Sequence, residues 1–477
     1  MADIRTRFAP SPTGYMHVGS VRTALFAWLI ARQANGEFIL RIEDTDKARE
    51  VEGSIKHIMD SLIFLGINWD EGPDIGGQFE PYIQSEKLET YKQWAQTLVD
   101  SGRAYPDPYS QEELNNLREK AKNEKRPFLF RDHRPEKFET WDGKATLRFK
   151  SDPKPYTWHD EVMGKLSTGP EVIDDFIIMK NDGYPTYNFC HIIDDYLMDI
   201  SHIVRSQEFI SSTPKFLNLY EALEFDHPKF VTLPPVMGAD GKKKLSKRDG
   251  SKDILDYKKE GYDPRALMNF LATLGWNDGT TKEIFSKEEL IEKFDIKRIN
   301  KSGAKFDEQR LIWLNGQYIR SMDIDELYEK VTNFWPNSAK EYDTAYKKAV
   351  LGLVQERIKF YKELPELTIF FFEEADPELN MIKDNKFLKA MNNSEIKELL
   401  DATIFSLKDS DFSIDDLNHR LNKLLESTSK KPAELFSLIR ITTTWATASP
   451  PLVESLAVLG KENTLSRINK LIDIISK

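Results

Sequence analysis

The stretch Ile4-Arg5-Thr6-Arg7-Phe8-Ala9-Pro10-Ser11-Pro12-Thr13-Gly14-Tyr15-Met16-His17-Val18-Gly19-Ser20 decides how this chain reads. Ile4 to Phe8 is a short strand candidate. Pro10 and Pro12 break it, because proline has no N–H to give to a sheet, and Gly14 turns the chain. From Val18 to Ala34 the apolar residues Leu25, Phe26, Leu29 and Ile30 recur at helical spacing, and Gly36 ends the helix. Phe38 to Ile42 reads as a second strand. Gly53 to Leu65 reads as a second helix, closed by Gly66. This β-α-β-α order predicts an α/β fold with a doubly wound, parallel, Rossmann-like sheet.

The turn also carries chemistry. His17 and Gly19 stand at the expected start of a helix, where free backbone N–H groups favour phosphate. His17 can donate to a phosphate oxygen, and Gly19 lets a nucleoside approach the backbone. Far downstream, Met237-Gly238-Ala239-Asp240-Gly241 leads into Lys242-Lys243-Lys244-Leu245-Ser246-Lys247-Arg248, a run of five bases and no acid. A cation loop on a glycine-bearing lead-in can stabilise the charge of a pentavalent phosphorus and a departing pyrophosphate. Losing one such contact should cost roughly 3 kcal/mol in the barrier. Together, the histidine turn and the lysine loop read as the two halves of a nucleoside-triphosphate clamp.

Outward from these two segments the chain divides. Residues 1–81 and 186–238 carry the two halves of the α/β pattern. The second half has Ile200–Arg205 and Phe230–Leu233 as strands and Thr213–Glu224 as a helix. Between them, residues 82–185 read as an inserted α+β domain. It has helices over Ser85–Ser101 and Gln111–Lys122 and a hairpin-turn signal at Trp141-Asp142-Gly143-Lys144. Residues 239–322 hold the lysine loop. There Asp263-Pro264 sets the start of a helix, as N-cap and first helical residue. Residues 323–477 are mostly α-helical, in two parts meeting at about 375. Helical spacing is clear over Ile396–Leu407, Ile414–Leu425 and Leu452–Ile475.

With 477 residues, 40% of them hydrophobic and 30% charged, the chain has the size and composition of a multidomain globular protein. It offers no apolar run of membrane-spanning length and no signal-peptide pattern, which fits a cytoplasmic enzyme without a membrane partner. One cysteine, Cys190, excludes an intrachain disulfide and a multi-cysteine zinc site. It reads as a packed residue rather than a nucleophile. The net charge of −11 argues against polyanion binding by the whole surface. The distribution argues for it locally: Arg118 to Lys137 holds eight Lys/Arg against four Asp/Glu.

Four motifs together carry a resemblance. Arg7-Phe8-Ala9-Pro10-Ser11-Pro12-Thr13-Gly14, Arg41-Ile42-Glu43-Asp44-Thr45-Asp46, Asp182-Gly183-Tyr184-Pro185-Thr186-Tyr187-Asn188 and Gly241–Arg248 look like those of bacterial glutamyl-tRNA synthetases, class I aminoacyl-tRNA synthetases. The resemblance runs along nearly the whole chain. It implies ATP-dependent attachment of L-glutamate to the 3′ end of tRNA(Glu) through a glutamyl-adenylate, by a monomeric enzyme. His17, Gly19, Lys244, Lys247 and Arg248 are the implied catalytic residues. Arg7, Ala9, Ser11, Glu43, Tyr187, His191 and Arg205 are implied to hold glutamate, with asparagine common in the family where His191 stands here. Thr13, His17, Gly19, Glu208, Val236, Met237, Lys244 and Lys247 are implied to hold ATP, which brings Mg²⁺ with it.

The insertion is implied to bind the tRNA acceptor end through Arg49, Lys125, Arg126 and Arg131, and the helical third to read the anticodon, with Arg357 as a base contact. Some relatives hold zinc in the insertion on a cysteine cluster. Here that stretch is Ala104-Tyr105-Pro106-Asp107-Pro108-Tyr109, so no zinc is expected. A broader enzyme that also charges tRNA(Gln) fits the same motifs. A small-molecule adenylyltransferase would share the histidine turn, but leaves the insertion and the helical third without a purpose.

Overall fold

The computed structural model describes residues 4–245, 252–374, 378–446 and 449–477. Its strands, in chain order, are β1 (Arg5–Phe8), β2 (Glu37–Leu40), β3 (Ala104–Pro106), β4 (Leu147–Phe149), β5 (Tyr156–Asp160), β6 (Gly164–Thr168), β7 (Phe176–Met179), β8 (His202–Ser206), β9 (Lys229–Leu233), β10 (Val236–Met237) and β11 (Ala304–Lys305). The main sheet has the order β2-β1-β8-β9-β5-β6. Every neighbouring pair in it is parallel except the β5–β6 hairpin at its edge. The expected parallel α/β sheet is therefore present.

Helix α1 (Val18–Gln33) follows β1 and is buried almost all round, which explains why its apolar residues are not confined to one stripe. Its end is shaped by Asn35, in the left-handed region at φ 52°, and by Gly36, whose N–H returns to the Ala31 carbonyl at 2.8 Å. A Cβ on Gly36 would collide with the Ile4 carbonyl, so the glycine lets β2 start against β1. Helices α2 (Ser54–Phe64), α3 (Leu88–Asp100), α4 (Gln111–Asn123), α5 (Tyr187–Leu197) and α6 (Thr213–Ala222) stand within a few residues of the expected ranges where one was read. Ser110 and Glu113 form a reciprocal cap on α4.

Two features of the region 82–185 differ from the sequence reading. Its strands divide between two sheets: β3, β4 and β7 form a separate antiparallel sheet, whereas β5 and β6 extend the main one. Asp160 accounts for this, since its carboxylate takes the Thr232 hydroxyl at 2.5 Å and the N–H groups of Val162 and Met163, tying the hairpin to β9. Second, Trp141–Lys144 is a turn but not a hairpin. Asp142 accepts from the N–H of Lys144 and Ala145, and the chain then enters β4, whose partners are β3 and β7. The turn residues specified a local bend, not a pairing partner.

The chain falls into two compact units, residues 1–258 with 264–311, and residues 259–263 with 312–477. The second is helical. Ile396, Leu400, Leu417, Leu421, Leu438 and Leu471 share its largest core. The terminal run Leu452–Ile475 is two helices rather than one, broken at Gly460, whose φ of 78° is non-helical. The expected division near 375 falls on residues outside the described ones.

Candidate active site

The ends of β1 and β8 and the start of α1 surround a cavity of about 510 Å³. Among the expected glutamate contacts, Arg7, Ala9, Ser11, Glu43, Tyr187 and Arg205 line it. Of the expected ATP contacts, Thr13, His17, Gly19, Glu208, Val236 and Lys244 line it as well. The histidine turn and the lysine segment therefore meet, although His17 and Lys244 are 227 positions apart in the chain. Met237 lies beside the cavity, in β10, bridged to Lys244. Ser246, Lys247 and Arg248 lie outside the described residues.

Local chemistry builds the His17 end. His17 is the N-cap of α1: its Nδ1 accepts from the Gly19 N–H at 3.1 Å and the Ser20 N–H at 3.4 Å. With Nδ1 accepting, a neutral ring carries its proton on Nε2, which stands 3.3 Å from the Ser20 hydroxyl and can donate to a ligand oxygen. Gly19 has a second purpose beyond the expected one. A Cβ there would press on the imidazole at 3.2 Å. On the lysine side, Asp240 accepts from the N–H groups of Lys242 and Lys243, and Gly241 turns the chain at φ 67°. Leu245 then pairs back to Val236 at 2.8 Å, which returns Lys244 to the cavity wall. Its ammonium stands 3.1 Å from Glu208, whose carboxyl is held below the usual range by the Ser206 hydroxyl and by Lys244.

The other end is buried and densely charged. Arg7 holds Asp195 with two bonds, at 2.9 and 3.1 Å. Arg41, fully buried, donates to Asp195 at 2.8 Å and to Glu43 at 2.9 Å, and its Nε stands 3.6 Å from Asp194. Asp194 in turn takes Lys87, Tyr91 and Gln84, each at 2.8 Å. Asp195 lies well below the ordinary carboxylate range: desolvation opposes this, and Arg7 and Arg41 overcome it. Glu43 is pushed up to about 7 by burial, against the pull of Arg41 and Arg7.

Arg205 differs from Arg7. It is 6% exposed and ringed by Phe209, Phe216 and Phe230. It donates to the Thr213 hydroxyl at 2.7 Å, while its Nε has no hydrogen-bond partner among the described residues. No carboxylate among the described residues pairs with it, and burial lowers its pKa. A guanidinium buried without a counter-ion, at the wall of a cavity, is poised for an anionic ligand.

His191 does not line the cavity. It stacks behind Tyr187 at 4.6 Å, and its Nδ1–H donates to the Tyr187 carbonyl at 2.6 Å. Burial pushes its pKa down to about 3, so it is neutral. The reason is helical spacing: Tyr187, His191 and Asp195 form one stripe of α5, and only the first reaches the wall. The sequence reading missed Asp194 and Asp195 as partners of the pocket arginines. That spacing from Tyr187 was the available signal. Cys190 is buried with its thiol raised well above its usual pKa, as fits a packed residue.

The expected tRNA contacts are dispersed. Arg49 is exposed and paired with Asp46 at 2.6 Å, Arg126 with Glu124 at 2.6 Å, and Lys125 is exposed. Arg131 is spent on the carbonyls of Pro170 and Ile173, and Arg134 on Asp175, so the basic island is smaller than its count. Arg357 donates to the Ser449 carbonyl at 2.7 Å. In the stretch Ala104–Tyr109, Tyr105 donates to Asp175 at 2.7 Å and Asp107 pairs with Arg148 at 2.7 Å. Among the described residues no cluster of His, Cys, Asp or Glu stands ready for a metal ion, and no helix is long and apolar enough to cross a membrane.

Comparison with known proteins adds to this geometry. Residues 3–313 match the family described as tRNA synthetases class I (E and Q), catalytic domain, and residues 326–472 match an anticodon binding domain. The chain is 40% identical to a glutamate–tRNA ligase of Clostridium tetani, covering 98% of this chain and 96% of that protein. It is 38% identical to glutamate–tRNA ligase 2 of Caldicellulosiruptor saccharolyticus, covering 98% of both. A crystal structure of a glutamate tRNA ligase from Elizabethkingia meningosepticum, in complex with its amino acid, superposes with a TM-score of 0.89 at 31% identity, covering 99% of this chain and all of that one.

Proposed function

The chain belongs to the class I glutamyl- and glutaminyl-tRNA synthetases, in the glutamate–tRNA ligase branch, and from that premise we propose that it joins L-glutamate to the 3′ end of tRNA(Glu) at the cavity just described. The observation that carries the placement is Arg205, a buried guanidinium with no counter-ion among the described residues, in a cavity that also holds His17 and Lys244.

Charge balance supports glutamate over its amide. In the linked buried network the cations Arg7, Arg41 and Lys87 match the anions Glu43, Asp194 and Asp195, and Arg205 adds a fourth buried cation with no paired carboxylate among the described residues. Glutamate, with two carboxylates and one ammonium, brings the one missing negative charge. Glutamine would leave a buried charge unpaired, and sites of this kind reject a near-isostere by roughly 10⁴-fold. Arg7 and Arg205 take the carboxylates, Glu43 accepts the ammonium, and Ala9, Ser11 and Tyr187 shape the wall.

The reaction has two steps. The α-carboxylate of glutamate attacks the α-phosphorus of ATP, forming glutamyl-adenylate and releasing pyrophosphate. The 2′-hydroxyl of the terminal ribose then attacks the activated carbonyl, releasing AMP. Nε2–H of His17 donates to a phosphate oxygen, and Lys244 supplies positive charge as the phosphorus becomes pentavalent. Lys247 and Arg248 add to it. No protein nucleophile takes part, and rate comes from positioning and charge stabilisation. Glu208 is the one carboxylate lining the ATP end among the described residues, so a Mg²⁺ brought by ATP would be held mainly by the phosphates and water. Arg49, Lys125 and Arg126 face the acceptor end of tRNA and Arg357 the anticodon. The enzyme acts as a cytoplasmic monomer.

One assay tests this. Enzyme, labelled glutamate, ATP and purified tRNAs are mixed, and charged tRNA is measured. Glutamate on tRNA(Glu) alone supports the strict enzyme, and glutamate on tRNA(Gln) as well supports the broader one. ATP–pyrophosphate exchange without any transfer to tRNA would overturn the proposal in favour of a small-molecule adenylyltransferase.

A further inference from the structure

Asp195 and Arg41 stand behind the pocket, outside its lining, and are linked to the lining residues Arg7 and Glu43. Asp195 is 1% exposed and shared: Arg7 grips it with two nitrogens and Arg41 reaches it with a third. Arg41 is fully buried and bridges from Asp195 to Glu43 with its two terminal nitrogens. One buried carboxylate thus braces the arginine that meets a substrate carboxylate and, through Arg41, the glutamate that meets the substrate ammonium. We infer that Asp195 and Arg41 form a positioning relay, Asp195 fixing Arg7 and Arg41 fixing Glu43 as an anion at the cavity wall. The inference rests on the reading of Arg7 and Glu43 as amino-acid contacts.

The two members of the relay act on Glu43 with opposite sign. The groups facing Glu43 are Arg41 beside it, Arg7 from β1, and Asp195, Tyr187 and Cys190 from α5. Burial has already moved the Glu43 carboxyl up to about 7. Arg41 holds it down and Asp195 holds it up. A merely structural brace would damage binding alike at every pH. A relay of charges must shift the pH at which binding weakens, upward for one member and downward for the other.

The test measures the KM for glutamate in tRNA charging, with ATP and tRNA saturating, from about pH 6 to about 8.5. The wild-type KM should rise as the pH falls through about 7, because protonated Glu43 cannot accept an ammonium. Arg41→Gln should move that rise upward by about one pH unit, making KM about fivefold higher near pH 7 and about tenfold higher well below it. Asp195→Asn should raise KM at high pH by loosening Arg7, yet move the rise downward. The KM values for ATP and tRNA should stay within about threefold, since neither side chain reaches that end. Arg41→Lys keeps the charge but not the fork, so it should keep the wild-type inflection at a higher KM, and it decides the matter if either other variant fails to fold.

Equal, pH-independent losses in Arg41→Gln and Asp195→Asn, or shifts in the same direction, overturn the relay, as does an unchanged KM in Arg41→Lys. Glu43→Gln separates the two levels. A wild-type KM and inflection in Glu43→Gln overturns the pocket reading itself, whereas a flat, raised profile there without shifts in the other two overturns the relay alone.

Discussion

The two ends of the cavity are built on opposite plans. At the end proposed for the amino acid, the charged groups are buried, cross-braced and nearly balanced before any ligand arrives. At the end proposed for the phosphates, His17 and Lys244 are exposed, and Lys244 makes a solvent-facing pair with Glu208. Exposed pairs contribute little on their own, whereas buried guanidinium–carboxylate geometry is fixed by its surroundings. The contrast follows the chemistry. Choosing one amino acid needs rigid, desolvated charge that a wrong substrate leaves unsatisfied. Transferring a nucleotide needs cations that act most strongly when charge develops, so they gain from staying adaptable until then.

The comparison can be broken at three points. Arg205→Ala should give the largest effect, lowering kcat/KM for glutamate about 10³-fold, or ~4 kcal/mol, through a lost buried charge contact, with the KM for ATP little changed. A matching loss in both would mean that the two ends are not separate. His17→Ala should lower kcat by about 10²-fold while sparing the KM for glutamate, and should cost ~1 kcal/mol of stability through the lost helix cap. Steady-state kinetics and urea unfolding check the two parts.

His191→Asn sharpens the contrast through stability alone. The folded protein holds His191 neutral down to about pH 3, whereas the unfolded chain protonates it near 6.5. The unfolded state therefore binds the extra proton, and stability falls as the pH drops from 6.5 towards 3. Removing the ring should shrink the stability difference between pH 6.5 and pH 5 by about 2 kcal/mol in urea unfolding. An unchanged difference would mean that the imidazole is not kept neutral by burial.

Legibility in the sequence followed the range of the physics. The first strand, α1 and the His17 turn were readable because proline, glycine and a 3.6-residue period act locally. The lysine loop was readable as a cation run. The pairing of Arg7 with Asp195 was not, since the sequence shows two charges 188 residues apart and nothing of their shared burial. For the same reason Arg131 read as a surface base although backbone carbonyls occupy its guanidinium, and His191 read as a wall residue although Tyr187 stands in front of it.

The sequence by itself determined the parallel α/β order, the helical final third and the kinds of side chain that nucleotide transfer requires. Short-range sterics and residue chemistry are enough for that. Only the tertiary structure decided that β5 and β6 join the main sheet, that Arg205 lacks a counter-ion among the described residues while Arg7 has one, and that burial lifts the Glu43 carboxyl to about 7. Those outcomes depend on which distant groups exclude water from one another, and desolvation is a property of the folded packing rather than of any segment of the chain.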